Sequence, residues 1–301
     1  MNVVVIGGAG FIGSHLVDRL LAEGHVVDVI DTLSPGSLAN LADARATRGP
    51  LKIHHLDASS SEADSLFGMR RPEVVYHLAL FDRHDRSAQA QAQAFSSALA
   101  TLESARRHGV SKVVAGVPAS SLYGQPAASA LPMKESELVP RGVRGVAARA
   151  VVDLLTTYRE RHAIEFTALA FSSVYGPRQA PSGGVVAALH EALLTDTAPT
   201  LDGDGRQTRD FVYIDDVVDA LVRAGDRGSG LVINVGTGVQ TTIRDLWTAL
   251  RGGAGLDPIS GPPRIDDLPR FAVSPVRARI HLGWSPWTDV STGLRRVLAP
   301  D

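Results

Sequence analysis

Residues 2–13, NVVVIGGAGFIG, predict the fold of this chain. A β-branched run ends at Gly7, and the segment SHLVDRLLAEG that follows has the apolar spacing of a helix and a terminal glycine. Gly7, Gly10 and Gly13 let the turn tighten and let backbone N–H groups approach a pyrophosphate at the positive end of the helix. These glycines, with Phe11 and Ile12 between them, are therefore candidate contacts of a dinucleotide.

Strand and helix patterns alternate beyond this turn. Buried-strand patterns recur in HVVDVID, LKIHHLD, PEVVYHLAL, SKVVAGV and IEFTALAF, and the Ala/Gln-rich stretch 86–106 predicts a long surface helix. The alternation predicts an α/β fold with a doubly wound parallel sheet, Rossmann-like, over residues 1–175. Residues 176–301 are richer in Gly, Pro and Asp. They predict a smaller, interleaved C-terminal α/β substrate lobe, from which a segment around 206–240 returns to the first domain.

The composition is that of an ordinary globular protein, with 44% hydrophobic and 21% charged residues in 301. A net charge of −2 gives no field that attracts nucleic acid or acidic membranes, and no apolar run is long enough to span a bilayer. The absence of cysteine excludes disulfides and a thiolate nucleophile, and it is compatible with the cytoplasm. We therefore expect a cytoplasmic protein with no nucleic-acid or membrane partner.

Asp31 closes the strand after the glycine turn, where a carboxylate can accept hydrogen bonds from ribose hydroxyls. Its negative charge would repel a 2′-phosphate, which favours NAD over NADP as the cofactor.

With these features the chain resembles the extended short-chain dehydrogenase/reductase family, in its nucleotide-sugar epimerase and dehydratase group. The resemblance covers nearly the whole length, through GGAGFIGSHL, DTLSPGSLANL, HLDAS, VVYHLAL, SSLYG, VYGPRQ, GDGRQTRDFVYIDDVVDA, NVGTG and LGWSP. It implies that Asp57 and Ala58 flank the adenine and that Leu78 and Ala79 line the dinucleotide groove.

The resemblance also implies that the second lobe binds a nucleoside diphosphate sugar. Arg209 and Arg264 match the positions that hold the diphosphate, and a planar guanidinium offers paired donors to phosphate oxygens. Asp267 matches a position near the nucleoside or its arginine. Ser173 stands where the family usually has asparagine, and its hydroxyl can still donate, with shorter reach.

The family's redox chemistry needs a tyrosine and, four residues later, a lysine on the same helix face. With Tyr158 and VYGPRQ as anchors, these positions fall on Arg144 and Ala148. The only lysines are Lys52, Lys112 and Lys134, and none has a tyrosine four residues before it, so the pair is absent from the whole chain. Arg144 cannot act as the base, because a guanidinium stays protonated near neutral pH.

The hydroxyl usually found four residues before the tyrosine of the YG element is also missing, because Ala119 stands there. The FDRHDRS segment leaves the carboxyl end of a strand, where open α/β sheets bind ligands. Its two carboxylates, Asp82 and Asp85, and the imidazole of His84 can serve as acid, base or ligands of Mg²⁺ or Mn²⁺, although the spacing matches no specific metal motif. The candidate catalytic residues are Asp82, His84, Ser120, Ser121, Tyr123 and Arg144.

Three hypotheses follow from the altered site. The loss of three groups favours an enzyme of isomerase or mutase type that acts on a nucleoside diphosphate sugar without hydride transfer, with divalent metal and NAD as candidate cofactors. The second is an NAD-dependent epimerase or dehydratase with an unusual base, and the third is a non-catalytic protein that binds the sugar nucleotide or NAD. Many members of the family dimerise through the tyrosine–lysine helix, so a homodimer is expected, unless the apolar residues of this helix pack on the protein's own core.

Overall fold

The computed structural model describes residues 1–81, 85, 87–135, 138–264 and 267–299. Its strands are β1 (Asn2–Ile6), β2 (Val26–Asp31), β3 (Leu51–His55), β4 (Val74–His77), β5 (Lys112–Pro118), β6 (Glu165–Phe171), β7 (Ser173–Tyr175), β8 (Thr200–Asp202), β9 (Thr208–Arg209), β10 (Phe211–Tyr213), β11 (Leu231–Val235), β12 (Thr241–Thr242) and β13 (Ile259–Gly261). Its helices are α1 (Phe11–Ala22), α2 (Ala42–Ala46), α3 (Ser61–Arg70), α4 (Ala88–His108), α5 (Ala119–Leu122), α6 (Gly142–His162), α7 (Val185–Leu194), α8 (Ile214–Ala224), α9 (Ile243–Arg251), α10 (Val276–Leu282) and α11 (Val290–Leu298).

Seven strands form the central sheet in the order β11-β6-β5-β4-β1-β2-β3, and every neighbouring pair is parallel. The predicted doubly wound α/β fold is therefore confirmed. The strand order reverses at β1, whose neighbours are β2 on one side and β4 on the other. Open α/β sheets bind ligands outside the carboxyl ends of the strands at such a point. The glycine turn follows β1 directly, so the fold places it at this crevice.

The sheet is covered on both faces by helices. One buried cluster packs α1 and α8 against the sheet, and a second packs α3, α4 and α6 against the opposite face. Val3, Val4 and Val5 of β1 are at most 1% exposed, as expected for a central parallel strand buried on both faces. The stretch predicted as a surface helix is α4, which the Ser87 hydroxyl caps by accepting from the N–H of Ala90.

The short strand pairs lie outside the central sheet. They are β7 with β10, β8 with β13, and β9 with β12. The segment after β7 is tied to α1, because Arg178 pairs with Asp18 at 2.6 Å and with Asp43 at 2.8 Å. The ring of His15 on α1 also bonds the carbonyl of Pro177 at 3.0 Å. These contacts join the C-terminal half to the helix that opens at the glycine turn.

Helix α6 divides its apolar residues between the core and the surface. Val151, Val152 and Leu155 are buried among residues of α4 and the sheet, whereas Val143 and Val146 are about 60% and 59% exposed. The homodimer stays a prediction. No helix in the described ranges is long and apolar enough to cross a membrane.

Candidate functional site

The glycine turn forms a narrow cradle between β1 and α1. Gly7 has φ +82°, which favours glycine, and a Cβ built there would lie 2.9 Å from the backbone nitrogen of Ala79. A Cβ on Gly13 would overlap the carbonyl oxygen of Gly7. Gly10 is the N-cap of α1, and no side chain caps this helix. The first-turn N–H groups therefore face the crevice, where they can donate to phosphate oxygens.

The carboxylate of Asp31 lies directly behind this turn. It accepts from the backbone N–H of Ala9 at 2.8 Å and from that of Leu33 at 2.7 Å. Asp31 is 8% exposed, and a Cβ on Gly36 would lie 2.8 Å from its Oδ1 atom. Each carboxylate oxygen retains a second lone pair, so these bonds leave acceptor capacity for a ribose hydroxyl.

The other predicted cofactor residues surround the same crevice. Leu78 and Ala79 follow β4 and contact the backbone of Gly7, and the side chain of Ala79 is exposed. Asp57 and Ala58 follow β3, whose end is joined to Asp31 by the N–H of Leu56 at 3.2 Å. Phe11 and Ile12 are half-buried in the first turn of α1. The fold thus brings the sequence-predicted set together, and its roles in binding stay predictions.

Two of the three positions predicted for the missing groups, Ala119 and Ala148, are closed by packing. Both are fully buried in one apolar cluster that also contains Leu122, Tyr123 and Leu268. An alanine methyl group offers no hydrogen bond to a ribose or to a sugar hydroxyl. The residues present therefore fit the adenosine diphosphate part of a dinucleotide. At the nicotinamide end they do not provide the contact that the family's lysine makes.

Tyr123 and the two neighbouring serines differ in their surroundings. The hydroxyl of Tyr123 donates to Oδ1 of Asn234 at 2.7 Å, and burial raises its pKa. This bond and the burial favour a packing role, and a catalytic role for Tyr123 stays a prediction. Ser120 and Ser121 are half-buried on α5, next to the start of α6. A Cβ on Gly145 would overlap the carbonyl oxygen of Ser121, so the two helices touch backbone to backbone.

Arg144 lies in the first turn of α6 and faces the end of β4. Its guanidinium stands over the ring of Phe81, 5.5 Å from the centroid, and Nη2 donates to the carbonyl of Phe81 at 3.2 Å. Arg144 therefore contacts the segment that follows β4, and its match to the family's tyrosine stays a prediction. The predicted candidates Asp82 and His84 lie outside the described residues. Among the residues that are described, no group of three or more His, Asp or Glu side chains is arranged to hold a metal ion.

Arg209, which is predicted to bind the diphosphate, forms hydrogen bonds with neighbouring residues of the C-terminal half. Its Nη1 atom donates at 2.6 Å to the carbonyls of Thr208 and Leu268, and its Nη2 atom bonds the carboxylate of Asp267. The Arg209 side chain is 17% exposed. Two predicted residues, Arg209 and Asp267, are thus in direct contact, and the guanidinium is fixed before any ligand arrives.

Arg264 and Ser173 lie at the margins of this lobe. Nε of Arg264 pairs with Asp202 at 2.7 Å, and its side chain is 67% exposed. Ser173 begins β7, and its N–H donates to the carbonyl of Asp210 at 2.9 Å. It lines a small cavity with Gln179, Gly184 and Phe211. Arg264 thus lies within residues 176–301 and Ser173 just before them, and their contacts with a ligand stay predictions.

Sequence analysis missed Asp210, which organises the interior of this lobe. Its carboxylate is fully buried and accepts from N–H and Oγ1 of Thr237, from N–H of Gly238 and from N–H of Val273. Burial raises the pKa of this carboxyl group, and these bonds oppose the increase. The available signal in the sequence was that Asp210 directly follows Arg209. Its partners come from segments about 27 to 63 residues away, which spacing does not reveal.

Comparisons with known proteins agree with this geometry. Residues 3–236 match the model of the NAD-dependent epimerase/dehydratase family. The UDP-glucose 4-epimerase of Mycolicibacterium smegmatis is 40% identical, in a match that covers 99% of this chain and 97% of that protein. A putative UDP-glucose 4-epimerase of Methanocaldococcus jannaschii is 30% identical, over 98% of this chain and 97% of that protein.

Solved structures resemble the chain over nearly its whole length. The UDP-glucose 4-epimerase of Thermotoga maritima with UDP-glucose superposes with a TM-score of 0.92 and 32% identity, covering 99% of this chain and 97% of that one. The UDP-glucose 4-epimerase of Thermus thermophilus in complex with NAD gives a TM-score of 0.89 and 31% identity, covering 99% and 98%.

Proposed function

The chain belongs to the NAD-dependent epimerase/dehydratase family, and from this premise we propose that it binds NAD beside the glycine turn and acts on a nucleoside diphosphate sugar. The observation that carries the proposal is the glycine cradle. Gly7 and Gly13 occupy positions where any side chain would overlap the backbone, and Asp31 braces the turn from behind. This geometry supports a pyrophosphate on the first turn of α1 and NAD in preference to NADP.

The relatives favour hydride-transfer chemistry over the isomerase or mutase reaction that the missing tyrosine and lysine suggested. The structure of one relative contains UDP-glucose, and that of another contains NAD. We therefore assign the chain to the second of the three hypotheses, an NAD-dependent epimerase or dehydratase with an unusual base. Held by the glycine turn and Asp31, NAD would supply the acceptor and donor of a hydride for a sugar carbon.

The chain's own residues divide the remaining tasks. Arg209 binds the diphosphate through a guanidinium that Asp267 and Leu268 already orient. Ser120 and Ser121 orient a sugar hydroxyl, because a serine hydroxyl can donate and accept but is too weak a base to remove the proton alone. The proton acceptor is then Asp82 or His84, the two remaining candidates from the sequence. Arg144 supplies a fixed positive charge and moves no proton.

Calorimetry and absorbance on the purified protein test this proposal. We expect NAD to bind more tightly than NADP, and a UDP-sugar to raise the near-ultraviolet absorbance of the reduced nicotinamide. The Arg209→Gln variant serves as the matched control, because it should keep NAD binding and lose the sugar-dependent signal. Failure of the wild-type protein to bind either NAD or any sugar nucleotide would overturn the proposal.

A second candidate is a protein that binds the sugar nucleotide or NAD without turnover. The burial of Ala119 and Ala148 favours it, because neither position can hold an acid–base group. Binding of both ligands with no reduced cofactor and no sugar product would support this candidate over the enzyme.

A further inference from the structure

The proposed dinucleotide would cross three neighbouring strands at the carboxyl edge of the central sheet. The glycine turn follows β1, Asp31 ends β2, and Asp57 lies just after the end of β3. These three strands are adjacent in that order, and the N–H of Leu56 donates to the carbonyl of Asp31 at 3.2 Å. A pyrophosphate on the turn and a ribose at Asp31 therefore bring the base of the dinucleotide to Asp57, because the base and the phosphate are attached to opposite ends of the ribose.

The carboxylate of Asp57 is held on both of its oxygens. Its Oδ1 atom accepts from the backbone N–H of Ser59 at 2.8 Å and from the hydroxyl of the same residue at 2.6 Å. Its Oδ2 atom accepts from Nε2 of Gln93, on α4, at 3.3 Å. A carboxylate has about four acceptor sites, so these bonds leave one site open, on Oδ2. Asp57 is exposed, so a ligand can reach this site.

The orientation of Asp57 decides which base this open site accepts. Adenine presents an exocyclic amino group, which donates, whereas hypoxanthine has an oxo group in its place and a donor N–H on the adjacent ring nitrogen. A carboxylate that turned freely would meet either donor. One that is fixed on both oxygens meets a donor in one place and is repelled by the oxo group.

We propose that Ser59 and Gln93 are positioning residues, which orient Asp57 and thereby make the chain prefer an adenine dinucleotide to a hypoxanthine dinucleotide. Each of them holds a different oxygen of the carboxylate, so both contribute to its orientation. The proposal rests on the proposed function, because it concerns the same dinucleotide site.

Calorimetry with NAD and with nicotinamide hypoxanthine dinucleotide tests the proposal. We expect the wild-type protein to bind NAD at least about fivefold more tightly, because one hydrogen bond is gained and a repulsion is avoided. The double variant Ser59→Ala/Gln93→Ala should lower this ratio to about twofold or less, because the released carboxylate can turn to the ring N–H of hypoxanthine. Asp57→Asn should remove the preference, because an amide can donate to the oxo group as well as accept from the amino group. The ratio is the informative measurement, since a general loss of structure weakens the binding of both dinucleotides alike.

The double variant Ser61→Ala/Gln89→Ala is the matched control. Ser61 and Gln89 are exposed on α3 and α4, and the hydroxyl of Ser61 bonds the adjacent Glu62 at 3.1 Å, so the control should keep the wild-type ratio. A thermal melt of each variant shows whether it is folded. Equal affinities of the wild-type protein for the two dinucleotides, or an unchanged ratio in folded Ser59→Ala/Gln93→Ala, would overturn the proposal while NAD binding upholds the proposed function. If neither dinucleotide binds, the proposed function fails and this proposal fails with it.

Discussion

The carboxylate of Asp31 accepts a hydrogen bond from the backbone N–H of Ala9 at 2.8 Å, so one residue both braces the glycine turn and faces the proposed ribose site. Asp31 therefore differs from a carboxylate that contacts a ligand and has no structural role. A change at Asp31 is therefore expected to alter the stability of the turn and the choice between NAD and NADP together.

Asp31→Asn should lower the affinity for NAD about tenfold and bring the affinities for NAD and NADP closer together, since a neutral amide no longer repels a 2′-phosphate. It should also reduce the free energy of unfolding by about 1 to 3 kcal/mol, because an amide cannot accept from two N–H groups as a carboxylate does. Calorimetry with both nucleotides and urea unfolding measure these effects. An unchanged NAD/NADP ratio would remove Asp31 from the ribose site.

The missing lysine is not restored by a single substitution. Ala148 has no exposed surface and is surrounded by apolar residues, so Ala148→Lys should lower the free energy of unfolding by roughly 3 to 5 kcal/mol and give no gain in NAD affinity. Val146→Lys on the same helix is the control, because Val146 is 59% exposed and should tolerate the charge. Tighter NAD binding by a fully stable Ala148→Lys variant would contradict the closed packing of this site.

Sequence alone predicted the doubly wound sheet, because strand and helix patterns alternate and the glycine turn marks the first crossover. It did not predict the short strands β7 to β10, β12 and β13, since two or three residues carry no readable periodicity. The glycine cradle was predictable because adjacent residues form it. The buried bonds of Asp210 and the contact of Arg144 with Phe81 were not, because their partners are distant in the chain.

Tyr123 is another residue whose partner could not be predicted from the sequence. Its place in the YG element made it a catalytic candidate, whereas its hydroxyl bonds Asn234, 111 residues away. Tyr123→Phe leaves a buried amide oxygen without this donor, so the free energy of unfolding should fall by about 1 to 3 kcal/mol while the affinity for UDP stays constant. Urea unfolding and calorimetry distinguish the two roles. Lost turnover at unchanged stability would make Tyr123 catalytic instead.

The stability of the fold should depend on pH through His77 at the end of β4. Burial lowers the pKa of His77 to about 4 from its ordinary value of 6.5, although a bond to Ser97 at 3.0 Å acts in the opposite direction. The unfolded chain therefore binds a proton that the folded protein excludes between these values. The contribution of His77 is complete above pH 6.5 and is lost as the pH falls towards about 4.

The variant His77→Asn isolates this effect. Its free energy of unfolding should fall less steeply over this interval than that of the wild-type protein, by at most on the order of 3 kcal/mol in total. Urea unfolding at several pH values measures both slopes, and contributions from other groups cancel in their difference. Parallel slopes would mean that His77 does not stay neutral in the folded protein.

The two predicted diphosphate arginines should differ in importance. Arg209 is held by two carbonyl groups and by Asp267, so little conformational entropy is lost when it binds a phosphate, whereas Arg264 is 67% exposed and screened by solvent. Arg209→Gln should weaken UDP binding about 10- to 100-fold, and Arg264→Gln should weaken it less. Arg206→Gln is the control, because Arg206 is 85% exposed in the same segment. Calorimetry at low and high salt should show that Arg209→Gln also reduces the salt dependence of binding. The reverse order of the two effects would place the diphosphate at Arg264.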